Sequence, residues 1–286
     1  MLTCVILNYN DSDTTLSLYH KIKNYNIIDK IIIVDGASTD FSYNKLKVLS
    51  NDHTDVLLAD RNGGYGYGNN IGIRYSESIG ADYVLIANPD VEFSETAVQT
   101  CLNIMKTNKN CAAIAPSIIG RKHPAFAFAP PIKDALSSSI LCNRIFSPRY
   151  YPSDFYKGKK YCKVFALPGS LVMLHVKKFI QCGLYDEDVF LYNEELIIGK
   201  KFKDNSYESI LCMTESYRHL HAVTVQKNYH SLLQPKKIEL KSHRLYLVRY
   251  CNSGKLPLLL LSCIKPMAYL ECILWPWLKK FLNKLQ

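Results

Sequence analysis

Four segments of this 286-residue chain each close an apolar run with residues able to hold a phosphate, a cation or a sugar hydroxyl. They are VDGASTD (34–40), NGGYGYGNNIG (62–72), IANPDVEF (86–93) and GLYDEDVFLYNEE (183–195). In the first, Asp35 ends the run KIIIV, where its carboxylate can accept hydrogen bonds from a base or a ribose hydroxyl. Asp40 is placed to cap the helix that follows. The second segment packs five glycines and three asparagines into eleven residues. Glycine lets a backbone turn with positive φ and approach a ligand closely. Its Gly64-x-Gly66-x-Gly68 follows the third apolar run, not the first, and this order speaks against a dinucleotide fold. In the third, Asn88-Pro89-Asp90 offers oxygen ligands of the kind that Mg²⁺ or Mn²⁺ takes beside phosphate. In the fourth, Glu194 and Glu195 follow Phe190, Leu191 and Tyr192. A carboxylate at the edge of an apolar pocket suits a general base, because burial raises its pKa towards neutrality. Adjacent helical residues point roughly 100° apart, so only one of the two can serve well.

The elements that must position these residues alternate in type. Apolar, β-branched runs at residues 3–7, 30–34, 55–59, 83–87 and 112–115 predict strands buried on both faces. Helical stretches lie between them, such as residues 14–25 with Asp11 and Asp13 as cap candidates. This βαβ winding predicts an α/β fold with a mostly parallel central sheet and helices on both faces. Ligands of such sheets bind outside the carboxyl ends of the strands, where the first three segments fall. Residues 143–163 read as a loop or lid. Residues 163–176 read as a second strand region, interrupted at Pro168-Gly169. Helices are expected over 236–249 and 256–285.

Composition narrows the partners. The net charge of +10 and pI of about 9.0 suit an anionic surface or a phosphorylated substrate. Basic residues cluster late, over 227–241 and 279–284, and no arginine-rich or aromatic nucleic-acid module accompanies them. A membrane surface is therefore expected, and no nucleic acid. The ten cysteines form no CxxC pair and no zinc spacing. Cys4, Cys111 and Cys212 sit in or beside apolar runs, as reduced core thiols do. Nothing resembling a secretory leader precedes the first strand, which predicts a cytoplasmic catalytic part. The last apolar stretch is interrupted by Lys265, Pro266, Glu271 and Pro276. It predicts an interfacial helix, with Trp275 and Trp277 at headgroup level, or a helix packed on the domain or on a second subunit of a homo-oligomer.

In their order, the four segments resemble the family 2 glycosyltransferases of GT-A fold. The closest likeness is to the subgroup holding rhamnosyltransferases of bacterial surface-polysaccharide synthesis. The resemblance runs over residues 2–221 and implies a catalytic domain at 1–225 with a helical extension at 226–286. It implies inverting, metal-dependent transfer of a sugar from a UDP- or dTDP-linked donor. The acceptor is then a saccharide hydroxyl, lipid-linked at the inner face of the cell membrane. By matching positions, Asn8 and Asp35 contact the nucleotide, and Asn62, Gly64, Asn69 and Asn70 line the nucleotide-sugar pocket. Asn88 neighbours ribose or water, Asp90 holds Mn²⁺ or Mg²⁺, and Glu195 is the base with Glu194 beside it. His219, with Thr224 five residues on, matches a late element of the metal and diphosphate site; His221 competes for that place. Asn8 also reads as a plain turn former and His219 as a structural histidine. Ile197 and Lys201 stand where the family usually carries an acidic residue and an arginine, and Glu195 where aspartate is usual. These departures motivate a second reading, a non-catalytic nucleotide-sugar-binding scaffold. A third, a nucleotidyltransferase, calls for a glycine-rich phosphate loop with Lys or Arg after the first strand, where this chain has NYNDSD.

Overall fold

The β-branched runs form strands, and alternation along each strand sorts its side chains to two faces. The computed structural model describes residues 1–146, 149–220 and 232–282. Its strands are β1 (Leu2–Asn8), β2 (Lys30–Asp35), β3 (Thr54–Leu58), β4 (Tyr83–Ala87), β5 (Val91–Glu92), β6 (Cys111–Ile118), β7 (Tyr161–Val164), β8 (Leu171–His175) and β9 (Glu208–His219). They join in one sheet of order β3-β2-β1-β4-β8-β6-β9-β5, with β7 also on β9. Six of the nine run one way, and β5, β7 and β8 run against them.

The helices are α1 (Ser12–Ile22), α2 (Ser42–Leu46), α3 (Gly64–Ser78), α4 (Glu95–Thr107), α5 (Pro131–Leu136), α6 (Ile140–Phe146), α7 (Val176–Gln181), α8 (Glu194–Asp204), α9 (Leu233–Leu245) and α10 (Lys255–Leu282). On one face of the sheet, Cys4, Ile6, Ile31 and Ile33 meet Leu18 and Ile22 of α1, Leu46 of α2 and Leu102 of α4. On the other, Val5, Ile32 and Val34 meet Ile73 of α3, Phe179 of α7 and Phe202 of α8. Each such side chain contributes roughly 1.5–3 kcal/mol by leaving water. A third cluster joins Val189, Leu196 and Ile197 to Leu240, Leu247 and Leu261, so α9 and one side of α10 are seated on α8. The expected boundary at 225/226 lies outside the described residues.

The differences from the sequence expectation have local causes. Helix α1 begins at Ser12, with Asp11 at the N-cap position and Asp13 in the first turn. Asp40 stands just before the N-cap of α2, and its Oδ1 accepts the Ser42 amide at 3.0 Å. Residues 143–163 hold the end of α6, a 3₁₀ turn (Ser153–Tyr156) and the start of β7. Strand β9 is not expected from sequence; its apolar run, residues 210–213, is short, and the rest, residues 214–219, is mostly polar. The ten cysteines are free thiols, with Cys4, Cys111 and Cys212 buried.

The glycines of α3 act first in packing. A Cβ on Gly68 would lie 2.4 Å from Leu7 Cδ1 and one on Gly72 2.5 Å from Val5 Cγ1, so the helix lies flush on β1. Gly64 has φ +88°, and a Cβ there would meet the Phe190 carbonyl oxygen at 2.0 Å. Gly64→Ala is therefore expected to cost at least about 2 kcal/mol, read as a fall in urea midpoint. Gly80→Ala, with φ +84° but nothing within 4 Å, isolates the backbone part of that cost.

Candidate active site

Asn8 and Asp35 end adjacent strands in register and are both fully buried. Asp35 Oδ1 accepts the Ser38 amide at 2.8 Å. Its Oδ2 accepts Asn8 Nδ2 at 2.8 Å and Ser38 Oγ at 2.9 Å. Asn8 Oδ1 in turn accepts Thr15 Oγ1 at 2.8 Å, so Asn8 braces β1, α1 and the turn after β2 at once. Sequence reasoning misses Ser38. A serine three residues after an aspartate is the signal that could have found it, since such pairs close local turns.

Asn62 is exposed ahead of α3, and its Oδ1 accepts the Gly64 amide at 3.2 Å. Asn69 Nδ2 donates to Tyr65 O within the helix at 3.0 Å. Asn70 is fully buried and reaches the fourth segment: its Nδ2 donates to Tyr185 O (3.1 Å) and Glu187 Oε1 (2.8 Å), and its Oδ1 accepts the Tyr185 amide (3.0 Å). The Tyr65 amide donates to Phe190 O at 3.0 Å. The glycine–asparagine segment is thus the seat on which residues 185–190 rest.

Asp90, after β4, and His219, ending β9, come together because the two-residue strand β5 pairs with β9, Val91 opposite His219. Asp90 Oδ1 lies 3.2 Å from His219 Nε2, and the Leu220 amide donates to Asp90 O at 2.9 Å. Asn88 holds its turn through its own amide, which donates to Ser170 O at 2.8 Å. One carboxylate and one imidazole at a strand end fit Mn²⁺ or Mg²⁺. Such ions take few protein ligands and complete their shell with water and substrate phosphate. Among the described residues no third Asp, Glu, His or Cys joins the pair. His221 and Thr224 lie outside the described residues.

The two glutamates occupy different surroundings. Tyr192 (φ +72°) and Asn193 (φ +67°) turn the chain left-handed into α8, at a cost of order 1–3 kcal/mol each. Contacts from α9 hold that turn: Ser242 Oγ donates to Leu191 O at 2.8 Å and Asn193 Nδ2 to Glu239 O at 3.4 Å. Glu194, 7% exposed, has an Oε1 without a hydrogen-bond partner. Burial, then the charge of Glu195, pushes its carboxyl up to about 8. Glu195 is partly exposed and its Oε1 accepts the Gly169 amide at 3.4 Å. Both line a cavity of about 20 Å³ with Tyr65, Leu167, Gly169 and Tyr185, room for roughly one water.

Tyr65, Ser170 and Tyr217 stand near the two pairs. Tyr65 Oη donates to Gly169 O at 2.7 Å, and Ser170 Oγ lies 2.7 Å from Tyr217 Oη. Tyr217 stands two residues before His219, and burial raises its phenol, with the charges of Glu195 and Asp90 adding to the rise. Sequence reasoning also misses Tyr65 and Tyr217, because tyrosines spread along a chain give no pattern. Lys201 fastens α8 to the start of the loop, its Nζ donating to Gly183 O (3.0 Å) and Leu184 O (2.6 Å). Asp186 accepts Tyr250 Oη at 2.6 Å and Arg249 Nη1 at 2.8 Å, so the turn after α9 clasps the same loop. Ile197, 1% exposed, fills the core under α9.

The raised Glu194 carboxyl makes stability depend on pH. Folded, it keeps its proton to about pH 8; a free glutamate loses its proton near 4.5. Between these values the native state binds more protons, so stability falls as pH rises through the window and then levels. Glu194→Gln removes that dependence. Its melting temperature is expected to exceed that of the unaltered chain at pH 8–9 by several degrees, the gap closing towards pH 5, as thermal melts across pH will read.

The model of glycosyl transferase family 2 matches residues 3–177. The chain belongs to this family. Glu194, Glu195 and His219 fall beyond the matched stretch of family 2 sequence. The low-salt glycan biosynthesis hexosyltransferase Agl10 of Haloferax volcanii is 28% identical over 198 residues, 68% of this chain. The chain spans 59% of the length of that relative. Among solved structures, GalNAc-T7 with UDP, GalNAc and Mn²⁺ superposes with TM-score 0.65 at 15% identity, covering 86% of this chain and 47% of that one. Mannosyltransferase PcManGT of Pyrobaculum calidifontis, in complex with GDP-Man and Mn²⁺, gives TM-score 0.61 at 14% identity, covering 95% and 72%. These likenesses establish a GT-A-like fold for this family 2 chain.

Proposed function

We propose that the protein is an inverting, metal-dependent glycosyltransferase that moves a hexosyl or rhamnosyl unit from a nucleotide-diphosphate donor to a saccharide hydroxyl. The observation that supports this reading is that the Asp90–His219 pair and Glu195 both lie near one buried tyrosine, Tyr217, whose phenol the charges of both Asp90 and Glu195 affect. Asp90 and His219 would hold Mn²⁺ or Mg²⁺, which would supply positive charge to stabilise the departing diphosphate. Asp35, Asn8 and Ser38 form the ribose and base end of the donor pocket, and Asn62, Gly64, Asn69, Asn70 and Asn88 shape its walls.

Glu195 is the base. A carboxyl that keeps its proton at pH 7, as Glu194 does, cannot take another; its partly exposed neighbour can. Glu195 removes the proton of the acceptor hydroxyl as that oxygen attacks the anomeric carbon. The bond from that carbon to the diphosphate breaks on the opposite face, its electron pair leaving with the diphosphate. Glu194 stays neutral. Ile197 and Lys201, the departures that motivate a scaffold reading, both have roles in building this site.

The donor is UDP- or dTDP-linked and the acceptor lipid-linked, in surface-polysaccharide synthesis at the cytoplasmic face of the cell membrane. Residues 1–225 form the transferase domain and 226–286 its helical extension; the late basic clusters support that placement. A panel of UDP-, dTDP- and GDP-sugars, each with and without Mn²⁺, tests the reading through release of free nucleotide diphosphate. Metal-dependent release from one donor is expected. No release from any donor, with no thermal shift from any nucleotide, makes the scaffold reading the better one.

A further inference from the structure

Helix α10 buries Pro257, Leu261, Ile264 and Ala268 along the side that packs against α5 and α9. Its opposite side, in the second half of the helix, carries Leu270, Ile273 and Leu274. Helix α6 begins near the same half of α10, because the Glu271 carboxylate accepts from Ser139 Oγ (2.7 Å), Ile140 N (2.7 Å) and Leu141 N (3.1 Å). Helix α6 adds exposed Leu141, Ile145 and Phe146, and all six residues are at least half exposed. Six large apolar side chains contributed by two elements exceed the scatter of single exposed residues normal on a soluble surface.

Charge decides what covers this face. Residues 232–282 hold nine lysines and arginines against two glutamates. Exposed Lys133, Arg144 and Lys265 lie on α5, α6 and α10 themselves. A second copy would bring these positive charges together, whereas an anionic lipid surface neutralises them. Helix α10 is long and apolar enough to cross a bilayer over Lys255–Leu274, with mean hydropathy 1.5. Its buried stripe is already taken by α5 and α9, and Glu271 is engaged on α6, so crossing would strip both contacts. The sequence beyond the patch adds Trp275, Trp277, Lys279 and Lys280, residue types that sit at headgroup level. The side chains of Trp275 and Trp277 lie outside the described residues.

We infer that the α6–α10 face docks the protein on an anionic lipid surface, with α10 lying in the plane of the interface. Its use there rests on the proposed transfer to a lipid-linked acceptor. Docking also sets the orientation of the catalytic loop, since α9 and the turn after it hold Leu191 and Asp186. The partner lipids are acidic phospholipids, recognised by charge and by insertion of the apolar face.

Flotation of the full chain with phosphatidylcholine vesicles, with and without phosphatidylglycerol, tests this. Binding is expected only with phosphatidylglycerol, falling as salt rises. The triple variant Ile145→Ser, Phe146→Ser, Ile273→Ser is expected to lower the partition coefficient at least about tenfold, with unchanged circular dichroism and unchanged nucleotide release in solution. Arg144→Glu with Lys265→Glu, which leaves the apolar face intact, is expected to weaken binding as well. Vesicle binding equal in all variants, or none by the unaltered chain, overturns the inference. So does a solution dimer that the triple variant abolishes, which assigns the face to a second copy. Resistance of the vesicle-bound chain to alkaline extraction overturns the in-plane placement. Vesicle binding without nucleotide release sinks the transferase reading and keeps the surface; release without binding does the reverse.

Discussion

Asp90→Ala is expected to reduce donor turnover by at least about a thousandfold, near 4 kcal/mol of lost transition-state stabilisation. Charge is the reason. Departure of a nucleotide diphosphate builds negative charge at one place, and among the described residues Asp90 and His219 are the one carboxylate–imidazole pair within 4 Å at this strand end. Removing the carboxylate leaves a lone imidazole to hold the cation. Asp90→Asn, which keeps the shape and loses the charge, is expected to fall nearly as far. Asp90 is buried, so its removal is also expected to lower stability, and the melt separates that loss from the loss of turnover. The measurement is nucleotide diphosphate release against Mn²⁺ concentration, paired with a thermal melt. Turnover within tenfold of the unaltered chain, at any Mn²⁺ concentration, would falsify the assignment of Asp90.

The two glutamates should separate when each is replaced by glutamine. Glu195→Gln is expected to lower transfer to acceptor by roughly 10²–10⁴ while leaving donor affinity unchanged, because an amide cannot take the hydroxyl proton. Glu194→Gln is expected to keep transfer within about tenfold at pH 7. Its amide imitates a carboxyl that is already protonated, held so by burial and by the neighbouring Glu195 charge. Measuring kcat and KM for acceptor and donor separately distinguishes the two. If Glu194→Gln were the silent enzyme and Glu195→Gln the active one, the roles would have to be exchanged.

Much of this protein is legible without coordinates. KIIIV, YVLIA and the LTCVIL run read as buried parallel strands because β-branched side chains pack well on both faces of a sheet. Once these are strands, Asn8, Asp35 and Asn88-Pro89-Asp90 must stand at their carboxyl ends. Strand β9 could not be read, because its apolar run, residues 210–213, is short and the remainder is mostly polar. The glycine–asparagine segment could be read but not interpreted. Glycine is demanded equally by a ligand approaching a backbone and by a helix lying flush on a strand, and here the atoms next to Gly68 and Gly72 are those of Leu7 and Val5.

What the sequence by itself determined is the set of chemical groups, the strand ends that carry them and the family to which the chain belongs. What only the tertiary structure decided is which groups meet and in what surroundings. Asp90 finds His219 through a two-residue strand paired with a distant one. Glu194 and Glu195, chemically identical and adjacent, differ because one is buried with an unpartnered Oε1 and the other is partly exposed and accepts the Gly169 amide. Ile197 and Lys201 look like lost functional residues until α9 and the Gly183 carbonyl are placed against them. The reason is the same in each case. Local propensity and periodicity act over a few residues, while proximity, burial and the electrostatics that follow from them are set by contacts between segments far apart in the chain.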